Sequence, residues 1–361
     1  MAPNTTHTGT TTKEARGHGV SGNWDNGTGS LLVGLSLGGG GTSPRALADR
    51  IRTAEAAGLS FLVFGAHNSE SSTEHELLSA VEVAAYATAL TSAIGLVTAI
   101  PTTHAEPFHV SNQLSSLDRG SNGRAGWLAT IDVSASWAQA FSTSAPDILT
   151  AQREAAAVID TTRRLWDSWE DGALLADARS GRFLDADKIH YIDDSGEFFD
   201  IRGPALMPRP VQGQPPVFAP VDLGSADVDV ALVSARTELE LIKAAERARN
   251  AGTARVLAEI VVSDSCEPPS NDEQRLHCRS DDSTIPALLD RLRHHVDGVV
   301  LYPAEPDAQL PSLLRDVAPE LEAAGLLRRP QPGSTLREQF GLSRPRSRYA
   351  ATHLQEAGAS R

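Results

Sequence analysis

The chain has 361 residues, 40% of them hydrophobic and 22% charged, and carries a formal net charge of −14 at pH 7. That length can bury a large core without disulfide or metal staples, and the acidic balance speaks against nucleic acid or an anionic membrane surface, which select clustered Lys and Arg. No run approaches the ~20 apolar residues of a membrane span, and residues 1–20 hold no apolar signal core, so a cytoplasmic protein with a disordered tail over residues 1–28 is expected.

In chain order, Leu31–Leu35 is a short apolar run suited to a buried first strand. Ser43-Pro44 supplies an N-cap and a first-turn Pro for a helix that ends near Gly58. Leu59–Phe64 is a second strand, and Thr73 with Glu76 has the spacing of a capping box for a helix lasting to about Leu90. Ile94–Ala99 and Gly123–Ile131 read as strands three and four, with helices over Pro107–Leu117 and Pro146–Trp169. Further on come a weak fifth strand at Val217–Ala219, a sixth at Val228–Ser234, a seventh at Arg255–Val262 and an eighth at Gly298–Tyr302. Helices are expected at Glu238–Asn250, Ile285–His295 and Asp307–Ala324.

Eight strands with helices between nearly all of them define an α/β protein, either a closed (β/α)8 barrel or an open doubly wound sheet. Only Pro220–Asp227 separates strands five and six, too little for a helical crossover of a dozen or more residues. The fifth unit is therefore truncated, or strand five pairs differently. Residues 165–216 are too long for an ordinary connection and too apolar for a disordered linker, so they form an ordered excursion between helix four and strand five.

Little of the familiar site chemistry is present. Cys266 and Cys278 lie in a polar stretch beside His277 without a paired Cys-x-x-Cys; surface thiols are expected, and no metal. Gly38–Gly41 lacks the Lys-Ser/Thr of a phosphate loop and reads as a flexible loop. No nucleophile elbow or Ser-His-Asp spacing appears. His104 and His109 flank a strand-to-helix loop where they could act as acid or base, and His294-His295 end a helix, where a cation is favoured.

Three blocks make the chain recognisable. They are Ser115–Trp127 (SSLDRGSNGRAGW), the excursion with Leu-Trp-Asp-Ser-Trp at 165–169 and Pro-Arg-Pro-Val-Gln-Gly-Gln-Pro-Pro-Val at 208–217, and Thr335–Tyr349 (TLREQFGLSRPRSRY). Together they closely resemble the bacterial-luciferase-like flavin monooxygenases, in the branch with nitrilotriacetate and dibenzothiophene-sulfone monooxygenases. The resemblance implies a luciferase-like TIM barrel over residues 29–330, with a C-terminal tail, 331–361, packed on the barrel or on a partner subunit. It also implies reduced FMN supplied by a separate flavin reductase, dioxygen, a small organic substrate and a homodimer.

In such a barrel the site lies at the C-terminal ends of the strands. The resemblance points to His67 after strand two, Thr102 and Thr103 after strand three, Asp132 after strand four, and Gly224 and Ser225 after strand five as cofactor-binding residues; the catalytic residues are not identified. The chain also departs from its relatives at these places. Their acidic residue after strand two is replaced by Ala66-His67, and their Asn and Thr-Ser on strand four by Leu128 and Ile131-Asp132. Their His and Tyr on helix four fall at Ile148 and Gln152, and the helix that holds the flavin phosphate after strand five is missing.

A phosphate near Asp222 would face a like charge worth on the order of 4 kcal/mol at 4 Å and a dielectric of 20, and would lack a helix dipole. Two readings follow: a luciferase-like monooxygenase oxygenating a small organic substrate, or a non-catalytic, repurposed paralogue with weakened flavin binding that acts as a subunit or binding protein.

Overall fold

The computed structural model describes residues 29–37, 43–65, 79–224, 227–264, 274–280 and 283–350. Eight parallel strands close into a barrel: β1 (Leu32–Leu37), β2 (Phe61–Phe64), β3 (Gly95–Pro101), β4 (Ala125–Thr130), β5 (Val217–Pro220), β6 (Val230–Val233), β7 (Arg255–Val262) and β8 (Gly298–Pro303). Neighbours in sequence are neighbours around the barrel, with β8 pairing β1 from Leu32↔Gly298 to Leu35↔Leu301 and β6 pairing β7 from Val230↔Arg255 to Val233↔Ala258.

Alternation along the strands sorts two cores. Leu32, Phe61, Val63, Val97, Leu128, Phe218, Leu257 and Val300 fill the barrel. Val33, Leu35, Leu62, Leu96, Val256, Ala258 and Val299 face outward, under α1 (Pro44–Ala56), α2 (Ala80–Thr88), α5 (Glu238–Asn250) and α6 (Thr284–Leu292). On the other side α3 (Pro107–Gly120) and α4 (Ile148–Asp167) cover Trp127, Ala129, Val217 and Ala219. After β8, α7 (Pro306–Ser312) passes through a π-helical turn, Leu313–Val317, into Ala318–Ala323. Pro311 sits inside α7, where it lacks an N–H and crowds the preceding turn.

The fifth unit is truncated. Strand β5 pairs in parallel with β4 through Trp127↔Val217 and with β6 through Val230↔Phe218, and only a 3-10 turn, Val221–Leu223, follows it before Gly224 at φ 74°. Other boundaries shift by a few residues. The capping box of α2 is Ser79 with Glu82; Thr73 and Glu76 lie outside the described residues. A short helix, Ala135–Ala140, precedes α4.

The N-terminal ends of the strands are closed by the C-terminal segment. Leu336, Phe340 and Leu342 belong to the core inside the barrel, and Thr335 with Glu338 caps a short helix, Leu336–Gln339. Gly95 and Gly126 at the feet of β3 and β4 make room for it, because a Cβ there would lie 2.5 and 2.8 Å from the two Leu336 methyls.

The recognisable blocks meet at this base. Arg209 Nη2 lies 2.9 Å from Asp167 Oδ1, Gln212 Nε2 donates to Asp118 Oδ1 at 2.6 Å, and the Arg337 N–H donates to Gln212 Oε1 at 2.7 Å. Gln214 Oε1 accepts from Arg163 at 2.6 Å. The excursion begins and ends here and forms two small hairpins, Leu174–Asp177 with Arg182–Leu184 and Asp194–Ser195 with Asp200–Ile201. The ion pair between Arg153 and Glu197 carries it up along α4.

Candidate functional site

The opposite end, the mouth, is formed by the C-terminal ends of the strands. On the β3–β4 side Thr102 and Thr103 are fully buried. The Thr102 N–H and hydroxyl both donate to the Thr130 carbonyl, at 2.7 and 2.9 Å, so this side chain latches the two strand ends together. Thr103 Oγ1 accepts from the Asp132 N–H at 3.1 Å, which leaves the hydroxyl proton for another acceptor. The Thr103 carbonyl takes the Trp137 indole N–H at 3.1 Å, and Asp132 Oδ1 caps the Ser134 N–H at 2.8 Å.

His104 follows in a left-handed conformation, φ 60°, which few non-glycine residues adopt. Its N–H donates to buried Glu154 Oε1 on α4 at 2.7 Å, and its ring lies 5.5 Å from the Phe141 ring. The Nε2 atom is buried without a hydrogen-bond partner among the described residues. His109 is exposed, and its N–H is taken by Glu106. His294, beyond α6, is exposed as well.

On the β5–β6 side Gln152 Nε2 donates to the Asp222 carbonyl at 2.6 Å, so one of the α4 positions that departs from the relatives is tied to the other departure. Ile148, one turn earlier, is half exposed. Asp222 and Gly224 are exposed. Water screens the Asp222 carboxylate, which lowers the repulsion of a nearby anion from ~4 to about 1 kcal/mol.

The β7–β8 side holds a group that sequence reasoning missed. Glu259 shares the inward face of β7 with Leu257 and Val261 and is 5% exposed. It accepts from the Tyr302 hydroxyl at 2.7 Å and from Arg275 at 3.3 Å, and also from the Ser234 hydroxyl. The Arg275 guanidinium stacks 4.3 Å over the Tyr302 ring, a cation–π contact. An acid at an inward position of an otherwise apolar strand was the available signal.

Arg275 leads into an unexpected short strand, Leu276–Cys278, which pairs with the end of β7 from Ile260↔Leu276 to Val262↔Cys278, beyond the reach of β6. This corrects the expectation of surface thiols, since Cys278 is buried; Cys266 lies outside the described residues. Across the mouth, Ser36 lies on the inward face of β1 with a buried hydroxyl that has no partner among the described residues.

Of the residues expected to hold a cofactor, Thr102, Thr103 and Asp132 gather on the β3–β4 side and Gly224 stands at the end of β5. His67 and Ser225 lie outside the described residues, as does Gly38–Gly41. Among the described residues no His, Cys, Asp and Glu cluster has the geometry of a metal site, and no helix is long and apolar enough to cross a membrane.

A closed parallel α/β barrel with polar and aromatic side chains gathered at the strand C-termini defines the class of barrels that carry a ligand site at that end. The chain belongs to the luciferase-like monooxygenase family, whose model matches residues 28–262. It is 38% identical over 152 residues to N-acetyl-S-(2-succino)cysteine monooxygenase of Bacillus subtilis, covering 42% of this chain and 34% of that protein. It is 30% identical over 264 residues to a subunit of pristinamycin IIA synthase from Streptomyces pristinaespiralis, covering 73% of this chain and 77% of that one. With the nitrilotriacetate monooxygenase of Aminobacter aminovorans, in its component A, it shares 41% over 128 residues, 35% of this chain and 28% of the relative.

Thus the chain matches about a third of the length of the first and third of these relatives and most of the second. The fold is that of a riboflavin lyase crystal structure, with a TM-score of 0.74 at 18% identity over 89% of this chain and 98% of that one.

Proposed function

We propose that the chain is a flavin-dependent monooxygenase that receives reduced FMN from a separate flavin reductase and uses O2 to oxygenate a small organic substrate. The observation that carries this reading is the pair of buried polar atoms at the mouth, Ser36 Oγ and His104 Nε2, that have no partner among the described residues, in a barrel of this family. Buried polar groups are nearly always hydrogen-bonded, and a ligand ring lying over the mouth would supply the missing partners.

A flavin fits the ring side of the mouth. Thr103, His104 and Asp132 are the described candidates to orient it, with Thr102 holding their loop and Gly224 across the barrel; His67 and Ser225 rest on the resemblance. When bound, the reduced flavin supplies the electrons that activate dioxygen; the chain's own task is to bind, orient and exclude water. The phosphate side does not fit, since β5 is followed by no helix and Asp222 stands there instead. A saturable new phase in the air oxidation of reduced FMN on adding protein supports the reading; oxidation kinetics unchanged at any protein concentration oppose it.

A second reading is favoured by that phosphate side and by the match to a synthase subunit over 77% of its length. In it the chain is a repurposed, non-catalytic paralogue that works within a larger assembly. Under either reading we propose a cytoplasmic protein that pairs with a second barrel, most simply as a homodimer, through the exposed groove between α2 and α3 lined by Val81, Ala85, Gln113 and Leu117. Sedimentation showing only monomer at micromolar concentration opposes the dimer.

A further inference from the structure

We infer that the mouth of this barrel holds a flavin by its ring and not by its phosphate, so that riboflavin binds at least as tightly as FMN. This rests on the flavin-binding reading above and adds which part of the ligand is recognised.

An anion in an α/β barrel is held by the free N–H groups and positive end of a helix N-terminus, or by Arg and Lys. The helices that follow the strands all start at the mouth, and around its β2–β6 arc the starts of α2, α3, α4 and α5 carry the chain's own carboxylates. Glu82 closes the capping box of α2. Glu106 accepts from the Phe108 and His109 N–H groups at the start of α3. Asp147 accepts from the Thr150 N–H at the start of α4, and that bond, with the Thr150 hydroxyl, holds its carboxyl below the ordinary range. Thr237 caps α5, whose first turn carries Glu238 and Glu240.

The one crossover that could have offered a fresh helix start, between β5 and β6, offers the 3-10 turn Val221–Leu223 with Asp222 in it. In the short helix Ala135–Ala140, inside the arc, no acid stands in the first turn, but Ser134 Oγ takes the Trp137 N–H and Asp132 Oδ1 the Ser134 N–H. The other starts without an acid at the cap or in the first turn are those of α1 and α6. They follow β1 and β7, on the far side of the barrel from the β3–β5 arc where Thr103, His104 and Asp132 gather, and Ser43 Oγ already takes the Ala46 N–H of α1. Of the described cations near the arc, Arg153 pairs with Glu197, Arg236 between β6 and α5 is not without a partner, and on β7's side Arg275 pairs with Glu259.

Exposed apolar side chains stand beside this turn: Val221, next to Asp222, is 45% accessible, and Ile148, one helical turn before the Gln152 whose amide holds the Asp222 carbonyl, is 50% accessible, a surface suited to a neutral chain rather than to a dianion.

The test is a comparison of riboflavin and FMN, each titrated into the full-length protein by fluorescence quenching, in oxidised form and after anaerobic reduction. Riboflavin is expected to bind as tightly as FMN or up to about fivefold tighter, the margin shrinking with added salt. Asp222→Asn is expected to tighten FMN by up to about fivefold and to leave riboflavin unchanged, since only the phosphate senses the charge. FMN binding about tenfold or more tighter than riboflavin overturns the inference while leaving the flavin reading intact. Failure of both to bind the folded protein overturns the flavin reading itself, and this inference with it.

Discussion

Arg337 places Nη2 3.1 Å from both carboxylate oxygens of Asp229, a residue 108 positions earlier in the chain. Arg163 reaches the same carboxylate from α4 at 2.7 Å, and all three side chains are buried. One carboxylate thus joins the C-terminal segment, α4 and the foot of β6, and its Oδ2 also accepts the Val217 N–H at 2.9 Å, fixing the start of β5. Asp229→Ala would leave two buried guanidinium groups without it. Because removing one partner of a buried pair costs about 3–5 kcal/mol, the variant is expected to unfold at much lower urea concentration, and a midpoint within error of wild type would contradict this role.

Much of the fold is legible in the sequence, because a buried parallel strand is an apolar run and the runs are bounded by glycine, proline or helix caps. The missing fifth helix is legible too, since eight residues between two strands cannot hold one. The three blocks that make the chain recognisable concentrate at the base, where Asp118, Asp167, Arg209, Gln212, Gln214 and Arg337 interlock. Periodicity cannot show this, because nothing in a one-dimensional pattern distinguishes a buried, paired Arg from a solvated one. For the same reason the sequence marks Glu259 as an acid in an apolar strand without showing that it is buried and paired, and Cys278, flanked by polar residues, reads as surface.

Asp118 makes stability depend on pH. Burial pushes its carboxyl up from 3.8 to about 6, against the opposing effect of the Gln212 hydrogen bonds. The folded state therefore binds this proton more tightly than the unfolded chain does, and the resulting stability is complete below pH 3.8 and lost as pH rises through about 6. The difference between these values corresponds to roughly 3 kcal/mol for this one group. Chemical denaturation of wild type and Asp118→Asn across that window should show a slope difference of this sign; identical slopes would remove Asp118 as the source.

The base plug predicts a compensating pair. Gly126→Ala introduces a Cβ 2.8 Å from a Leu336 methyl and 3.0 Å from the Phe218 ring, an overpacking expected to cost about 1–3 kcal/mol. Leu336→Ala alone leaves a cavity and should cost about 2–5 kcal/mol. In the double variant the added methyl occupies part of that space, so the losses should sum to less than additive by calorimetry. Strict additivity would mean that the two side chains do not share the space.

At the mouth, Thr103→Ala removes a hydroxyl that still has a proton to offer, and Ser225→Ala removes the one hydroxyl of the β5–β6 turn. Each is expected to weaken flavin binding about threefold to tenfold, the loss of one hydrogen bond. Titration of both variants showing wild-type affinity would take these residues out of the site.

The central claim, that this barrel still binds the family's cofactor, is tested most directly by anaerobic titration of the purified protein with reduced FMN, with the fold checked by circular dichroism in the same sample. A saturable dissociation constant of micromolar order or tighter is the predicted result. No binding of the reduced form at hundreds of micromolar would contradict it, and would make the non-catalytic reading the one to pursue.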